Sequence, residues 1–311
     1  MLTRWEEYVN KTRDIHNRFP AYASLAYKNN FLNRPVVNEY VEMLWNMLKF
    51  LGIKQEKKKR EFEFVLTHDV DYTFRFRSFK DIIRVLMADL LKRKSIEEFK
   101  KNINFILTKK DPFDTYDYLM DISEKIGVKS YFFLHSSSSA KQDVNNDKFL
   151  KQVANKIKKR GHFLGYHPSY NAYNDYKLFI KDKERIENII GEKLTVGRQH
   201  YLRFEVPTTW QIWEDAQMKW DSTLGYSGFN GFRGGSCYEY SGFNILTRKK
   251  LSLKEKPLII MDVSIKELNY ELKLIEKIKA FQGEVVILWH NSSFNTSFWN
   301  EKKFYERLIS A

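Results

Sequence analysis

Three side chains suited to metal binding or acid–base chemistry lie together in the stretch FVLTHDVDYT, which runs from Phe64 to Thr73. His68, Asp69 and Asp71 follow directly on a run of residues typical of a buried β-strand. Strand interiors seldom contain aspartate, and a buried carboxylate without a partner is costly. The end of a strand, where the chain opens into a loop, is where α/β proteins commonly carry their reactive groups. The stretch therefore indicates a functional site.

Histidines occupy the ends of several other predicted strands. In a parallel α/β arrangement, all strands present their carboxyl ends at the same face. The side chains that we expect to converge there are His68, Asp69, Asp71, His167, His200 and His290. His135 also closes an apolar segment but is not included in this set. A group of carboxylates and imidazoles on one rim indicates a single shared site.

The elements that must position these residues follow from the apolar pattern. Short apolar segments predict strands at 62–67, 129–134, 162–166, 194–199, 220–225, 258–263 and 284–289. Most stretches between them have helical spacing, as in residues 111–127, which begin with Asp-Pro and end at a glycine. The alternation predicts an α/β fold, an incomplete or distorted (β/α) barrel of about seven parallel strands.

The beginning of the chain differs from the rest. Residues 34–52 form an amphipathic helical pattern, which predicts an N-terminal helical cap over residues 1–60. The barrel domain is expected to span 61–311, with a helical, basic insertion at about 74–110.

Composition limits the classes of function. The apolar runs are too short to cross a bilayer, and the N-terminus lacks the apolar core of a signal peptide. The single cysteine, Cys237, cannot form an internal disulfide, so we expect a cytoplasmic protein. The net charge of +14 would suit nucleic acid, an anionic membrane surface or an anionic substrate. Because no recognised nucleic-acid-docking motif is present, we do not expect nucleic-acid binding.

The order of these motifs resembles the polysaccharide deacetylase superfamily of metal-dependent carbohydrate esterases. Its T-F-D-D-G motif resembles Thr67-His68-Asp69-Val70-Asp71, and its histidine motif resembles the stretch GHFLGYH at 161–167. The family's R-x-P-Y motif resembles RQHY at 198–201, and its terminal L-x-H motif resembles LWH at 288–290. The resemblance covers about residues 60–291 and is strongest to a divergent branch that occurs among bacterial surface-polysaccharide genes.

The resemblance implies a divalent metal ion, with zinc as the first choice. It gives Asp71 and His167 as metal ligands. The second histidine of the family motif would fall at Tyr170 or Asn171, neither of which replaces it well. A catalytic metal usually has three protein ligands, and the candidates for the third are, in order of preference, His200, His68 and Asp69.

The resemblance also implies catalytic roles. Asp69 would be the general base, oriented by Arg198, and His290 the general acid, steadied by Asp262; the roles of Asp69 and Asp71 could be exchanged. An alternative for Arg198 and Asp262 is a buried ion pair between strands. A backbone N–H beside Tyr201 would contact the oxyanion.

The loop at 222–240 is rich in glycine and aromatic residues, which suit sugar rings. Its Arg233 would bind a carboxylate or phosphate of the substrate, or else belong to a packed surface loop.

The function that the resemblance implies is removal of an acyl group, expected to be N-acetyl, from an amino sugar during bacterial surface-polysaccharide synthesis. We expect a nucleotide-linked or lipid-linked sugar as the carbohydrate substrate. The basic amphipathic segment 74–94 would allow peripheral association with the inner membrane. The alternative is a non-catalytic glycan-binding or scaffold protein on a degenerate deacetylase fold.

Overall fold

The computed structural model describes residues 1–135, 147–295 and 301–311. The strands are β1 (Glu63–Val70), β2 (Tyr131–His135), β3 (Phe163–His167), β4 (Val196–Gly197), β5 (Trp220–Asp221), β6 (Tyr240–Asn244), β7 (Lys249–Glu255), β8 (Ile260–Met261) and β9 (Glu284–Leu288). The α-helices are α1 (Trp5–Val9), α2 (Leu25–Lys28), α3 (Val36–Phe50), α4 (Phe79–Met87), α5 (Ile96–Leu107), α6 (Tyr116–Lys125), α7 (Asp147–Lys159), α8 (Tyr176–Ile190), α9 (Thr208–Asp215), α10 (Leu268–Ala280) and α11 (Glu301–Ile309).

The nine strands form one sheet in the order β6-β7-β5-β4-β3-β2-β1-β9-β8. All neighbouring pairs are parallel except β6 and β7, which are antiparallel. The predicted α/β class with a mainly parallel sheet is confirmed. Within the described residues no pairing joins β6 to β8, so the sheet is open at these two edges.

The hairpin of β6 and β7 is absent from the predicted strands. Its residues 240–255 contain four lysines and arginines, which hide the apolar alternation of the hairpin. The predicted strands at 194–199, 220–225 and 258–263 have only two residues each in β4, β5 and β8. After these short strands the chain no longer pairs with its neighbours and forms loops. These loops supply part of the candidate active site.

The sheet is packed between an inner and an outer apolar layer. Leu66 and Val70 of β1 belong to the large outer core under the helices, with Phe132 of β2. Val65 of β1 belongs to a smaller inner cluster with Leu288. Because side chains alternate along a strand, the inner face of β1 continues to Asp69 and Asp71.

A glycine at the end of β4 allows a close approach of this strand to β3. A Cβ atom at Gly197 would lie 1.9 Å from the carbonyl oxygen of Tyr166 in β3. Only glycine therefore permits the pairing of β3 with β4, which brings the next residue, Arg198, over the inner face.

The segment between β1 and β2 is helical and contains α4, a short π-helix at Ala88–Lys92, α5 and α6. No helix in the described ranges combines the length and hydrophobicity that a bilayer crossing would need.

Candidate active site

Asp71 lies between two histidines from other strands. Its Oδ1 is 3.2 Å from Nε2 of His167, at the end of β3, and 3.6 Å from Nε2 of His200, beyond β4. Nδ1 of His167 donates to the carbonyl oxygen of Arg198 at 2.7 Å, which fixes the imidazole and leaves Nε2 directed at Asp71. The three side chains that the sequence analysis preferred as metal ligands thus meet at one point.

The spacing of these donor atoms fits a small divalent cation. For ligands about 2.0–2.1 Å from a tetrahedral ion, neighbouring donors are separated by about 3.3 Å. The two distances from Asp71 Oδ1 lie on either side of that value. Two imidazoles and one carboxylate are a ligand set that zinc accepts.

His135 is a further donor that the sequence analysis did not include. Donor nitrogens of His135, His167 and His200 lie within 4.8 Å of one another, and all three residues are buried. His135 pairs in register with His167 across β2 and β3, which puts both imidazoles on the inner face. The signal was present in the sequence, since His135 closes its strand as His167 does.

The electrostatics of the cluster favour an ionised carboxylate at Asp71 and a neutral imidazole at His200. Burial raises the pKa of Asp71, but His200, His167 and His290 outweigh it and hold the pKa well below its usual range. Burial, together with His135, lowers the pKa of His200 well below its usual value. Burial also lowers the pKa of His167, but Asp69 and Asp71 outweigh it and raise the pKa. A metal ion binds a carboxylate and neutral imidazoles, so Asp71 and His200 have the forms that it needs, and a proton on His167 would have to leave when the ion binds.

The expectation that His68 could be the third metal ligand is corrected, because His68 lies on the face of β1 opposite to Asp69 and Asp71. Its Nδ1 donates to the carbonyl oxygen of Trp289 at 2.9 Å, and its Nε2 lies 3.2 Å from Oγ of Ser130. Burial lowers its pKa to about 3, so it is a neutral histidine of the outer core. Alternation along the strand, which puts Asp69 and Asp71 on one side, necessarily turns His68 away from them.

Asp69 is held by a fully buried arginine. The guanidinium of Arg198 donates to Oδ1 of Asp69 at 2.8 Å and to Oγ1 of Thr67 at 2.9 Å. It also donates to the carbonyl oxygen of Ser222 at 2.7 Å. The other carboxylate oxygen, Oδ2, lies 3.8 Å from Nε2 of His167 and therefore faces the site. Arg198 thus forms a buried ion pair with Asp69 that also fixes its orientation, so the two interpretations of this arginine are compatible.

His290 is oriented by Asp262. The Asp262 carboxylate accepts hydrogen bonds from Nδ1 of His290 at 2.9 Å and from its backbone N–H at 2.7 Å. Nε2 of His290 is directed into the site and lies 3.8 Å from Oδ2 of Asp71. Burial lowers the pKa of His290, but Asp262 outweighs it and raises the pKa to about 10. The imidazole is therefore protonated at neutral pH and can act as an acid.

These side chains line a cavity of about 330 Å³, which we call the Asp71 pocket. The side chains of His167 and His200 are almost fully buried, whereas that of Asp71 is 25% exposed and that of His290 is 17% exposed. Asp71 and His290 are therefore partly in contact with solvent, and the more exposed Tyr201 and Val263 form the rim of the pocket.

The N-terminal residues form part of this pocket. His16 and Arg18 line it, although no local pattern in the sequence indicated this. The guanidinium of Arg203 donates to the carbonyl oxygen of His16 at 2.9 Å, and Arg18 donates to the carbonyl oxygen of Tyr201 at 2.9 Å. The segment is therefore fixed against the loop that follows β4.

Tyr201 lies at the rim of the Asp71 pocket, and Tyr170 supports the wall behind it. Tyr201 lines the pocket and has a left-handed backbone, with φ of 60°. The hydroxyl of Tyr170 lies 2.9 Å from Nδ1 of His16, and Oδ1 of Asn171 accepts from Arg203 at 3.2 Å. Tyr170 and Asn171 thus hold the N-terminal segment, while His200 lies beside Asp71.

Arg233 does not face the pocket, which corrects its assignment to substrate. Its guanidinium donates to both carboxylate oxygens of Glu7, at 2.8 and 2.7 Å, and to the carbonyl oxygen of Gly225 at 2.8 Å. Arg4 shares the same carboxylate, and all three charged side chains are buried. The arginine joins the N-terminal segment to the loop after β5. Its partner lies more than two hundred positions away in the sequence, so local composition could not predict it.

Comparison with solved structures finds similar chains. A candidate polysaccharide deacetylase from Mycobacterium smegmatis is 14% identical, with a TM-score of 0.50 over 82% of this chain and 85% of that chain. A CE4-family pseudoenzyme from Bacillus anthracis is also 14% identical, with a TM-score of 0.42 over 80% of this chain and 60% of that chain. A probable polysaccharide deacetylase from Pseudomonas aeruginosa is 10% identical, with a TM-score of 0.43 over 63% of this chain and 65% of that chain. The first of these likenesses shows that the chain has a polysaccharide deacetylase fold.

Comparison at the sequence level covers only the beginning of the chain. Residues 1–53 match a family of unknown function, DUF7033. A search of curated proteins gives no match.

Proposed function

We propose that this chain, with its polysaccharide deacetylase fold, is a metal-dependent hydrolase that removes an acyl group, expected to be acetyl, from an amino sugar. The observation that carries the proposal is the position of Asp71 Oδ1, 3.2 Å from His167 Nε2 and 3.6 Å from His200 Nε2. These three residues would hold the ion, with zinc as the first choice. When bound, the ion supplies Lewis acidity towards the acyl carbonyl and a lowered pKa for water.

The remaining residues divide the proton transfers between them. Asp69, oriented by Arg198, accepts a proton from the attacking water while the water oxygen forms a bond to the acyl carbon. His290, protonated beside Asp262, donates a proton to the sugar nitrogen as the C–N bond breaks. The products are a free amine and a carboxylic acid. The base and the acid sit on different strands, which allows them to act from two sides of the same carbonyl.

The amino sugar is proposed to be nucleotide-linked or lipid-linked and to serve bacterial surface-polysaccharide synthesis in the cytoplasm. Support for a membrane-bound substrate comes from the segment 74–94, which begins directly after the loop that carries Asp71. Phe79 is 74% exposed and Leu91 is 68% exposed, although both are large and apolar. Lysines and arginines accompany them, as in helices that lie on anionic bilayers. We therefore propose peripheral association with the inner membrane through this segment.

The test is acetate release from acetylated monosaccharides, oligosaccharides, nucleotide sugars and lipid-linked sugars, with protein stripped by a chelator and then reloaded with zinc. Release that depends on zinc and is lost in Asp69→Asn is expected. No metal-dependent release from any member of the panel would contradict the proposal.

A second candidate is a glycan-binding protein on the same fold. The observation that favours it is that the second histidine of the family motif would fall at Tyr170 or Asn171, and the hydroxyl of Tyr170 contacts His16 instead. Sugar binding without bound metal and without acetate release would support this candidate over the first.

A further inference from the structure

Helix α3 is attached at the end of the sheet opposite to the Asp71 pocket. The backbone N–H of Cys237 donates to Oδ1 of Asn38, in the first turn of α3, at 3.1 Å. The carbonyl oxygen of Cys237 in turn accepts from the backbone N–H of Glu284, the first residue of β9, at 2.9 Å. Asp71 follows the carboxyl end of β1, which runs parallel to β9. A partner bound to α3 would therefore leave the Asp71 pocket accessible.

The protein covers little of α3 beyond its first turn. Val36 and Asn38 are the buried residues of this helix in the part of the chain that the structure describes. The helix continues to Phe50, whose side chain is 91% exposed. A helix of this length is marginal in water unless an apolar face is packed against something. We therefore expect the rest of α3 to be covered by a partner.

An apolar stripe runs along the uncovered part of α3. It continues from the buried Val36, because its members follow at helical intervals. All of them are exposed: Tyr40, Met43, Leu44, Met47, Phe50 and Leu51. At about 200 Å² for a large side chain in full exposure, they expose on the order of 800 Å² together. The largest apolar patch of a monomeric protein is usually about 300–600 Å², so this stripe indicates an interaction surface.

The stripe borders an open groove of about 760 Å³, which we call the α3 groove. Met43 and Met47 line it from α3, and Phe281, directly after α10, lines it from the body of the protein. An amphipathic helix binds such a groove through apolar residues at intervals of three and four. A second copy of α3 carries residues of this type at these intervals. The groove and the stripe are adjacent, so a two-fold axis can place each stripe in the groove of the other copy.

The charges around α3 favour a second copy over an anionic bilayer. A basic stretch, 54–60, follows the helix, but two of its cations bind within the protein. Lys57 pairs with Glu42 at the groove, and Cζ of Arg60 lies 3.9 Å from the centre of the Tyr238 ring. Glu39, which also lines the groove, pairs with Arg34. The edge of the groove is thus compensated within the chain, which suits an apolar contact between two copies.

We propose that the α3 groove is the interface of a homodimer, in which the stripe of each copy packs into the groove of the other. Each copy would bury on the order of 800 Å², which is the area that a stable, specific interface buries on each partner. Both Asp71 pockets would remain accessible, because the interface is attached at the other end of the strands. The dimer does not depend on the proposed hydrolase activity.

Sedimentation velocity of the full chain tests the inference, at about 0.15 M salt so that the net positive charge is screened. We expect a dimer at about 10 μM chain. Leu44→Glu and Met47→Glu should each raise the dissociation constant of the dimer by at least about 100-fold, because each would bury a carboxylate in an apolar contact. Both side chains are exposed in the single chain, so circular dichroism should show both variants folded.

Leu107→Glu is the matched control, because Leu107 is 77% exposed but lies at the end of α5. This variant should dimerise as the wild type does. A wild-type chain that stays monomeric at every concentration, or a dimer that persists in both α3 variants, would overturn the inference. A monomer whose binding to anionic vesicles is lost in Leu44→Glu would also overturn it, since the α3 groove would then belong to a bilayer contact.

Discussion

Nε2 of His167 lies 3.2 Å from Oδ1 of Asp71, although β2 separates the strands that carry them. Both side chains project from the inner face, so the sheet itself sets the distance between an imidazole and a carboxylate. A geometry fixed by strand register is pre-formed before any ligand arrives.

Replacing a proposed metal ligand should remove the metal. Asp71→Asn and His200→Ala should each weaken zinc binding by more than about 100-fold, since even outer-sphere partners contribute about 10–100-fold. The measurement is competition against a fluorescent zinc chelator, with stoichiometry by elemental analysis. His16→Ala is the control, because His16 lines the same pocket but bonds to Tyr170. Zinc retained in His200→Ala but lost in His135→Ala would assign the third position to His135 instead.

Replacing Arg198 should impair the action of Asp69, the proposed general base, without loss of the bound zinc. Arg198→Lys keeps the charge but cannot bond Asp69, Thr67 and Ser222 together, since it lacks the planar fork of donors. We expect kcat to fall by about 100-fold, with KM little changed and zinc stoichiometry intact. Steady-state kinetics would be measured at a temperature where circular dichroism shows the variant folded. An unchanged kcat would limit Arg198 to a structural role.

Replacing Asp262 should shift the alkaline limb of activity. The pKa of His290 is raised to about 10 because Asp262 outweighs the effect of burial. A raised pKa keeps the acid protonated as the pH rises, so activity should persist well above neutrality. In Asp262→Asn the charge is lost and the pKa of His290 should fall, so the alkaline limb of kcat/KM should move to lower pH. A profile that does not move would contradict the role of Asp262 as the orienting partner.

Replacing Glu7 should change how the free energy of unfolding depends on pH. Burial raises the pKa of Glu7, but Arg233 and Arg4 outweigh it and lower the pKa to about 2. Because folding lowers this pKa, the ionised carboxylate stabilises the fold at pH values above its ordinary pKa of 4.5. This contribution is lost as the pH falls towards 2. Glu7→Gln should therefore lower the free energy of unfolding by about 3 kcal/mol at pH 7, because it leaves buried arginines uncompensated. The difference from wild type should shrink at acidic pH.

Urea denaturation at several pH values measures this effect. Glu39→Gln is the matched control, since Glu39 pairs with the exposed Arg34 and a surface ion pair contributes little. A difference that stays constant between pH 7 and pH 3 would contradict the prediction.

Adding charge to the exposed apolar residues of the segment 74–94 should weaken membrane binding. Phe79→Glu and Leu91→Glu should each reduce sedimentation with vesicles containing anionic lipid, because each removes apolar contact and adds repulsion. Leu246→Glu is the control, since Leu246 is 62% exposed in the turn between β6 and β7. Wild-type protein that fails to bind such vesicles at low salt would contradict the proposed association.

Strand ends with ionisable residues could be predicted from the sequence because they combine two local signals. An apolar run followed by aspartate or histidine indicates both a strand and its functional end, and this placed Asp71, His167, His200 and His290 on one rim. The alternation of side chains along β1 also explains why Asp69 and Asp71 lie on one face of the strand and His68 lies on the other.

Long-range partners could not be predicted, because nothing in local spacing encodes them. The burial of Arg233 depends on Glu7, and the place of His16 in the pocket depends on Arg203 and Tyr170. The β6–β7 hairpin was missed for a related reason, since an edge strand with one solvated face lacks a continuous apolar run.

His16 and Arg18 line the Asp71 pocket, and they lie in a stretch that belongs to no strand or helix of the described residues. Changes in this short stretch would reshape the entrance while leaving the groups on the sheet untouched. If the chain is the proposed hydrolase, its selectivity for the acyl donor and its capacity for hydrolysis can therefore be altered separately.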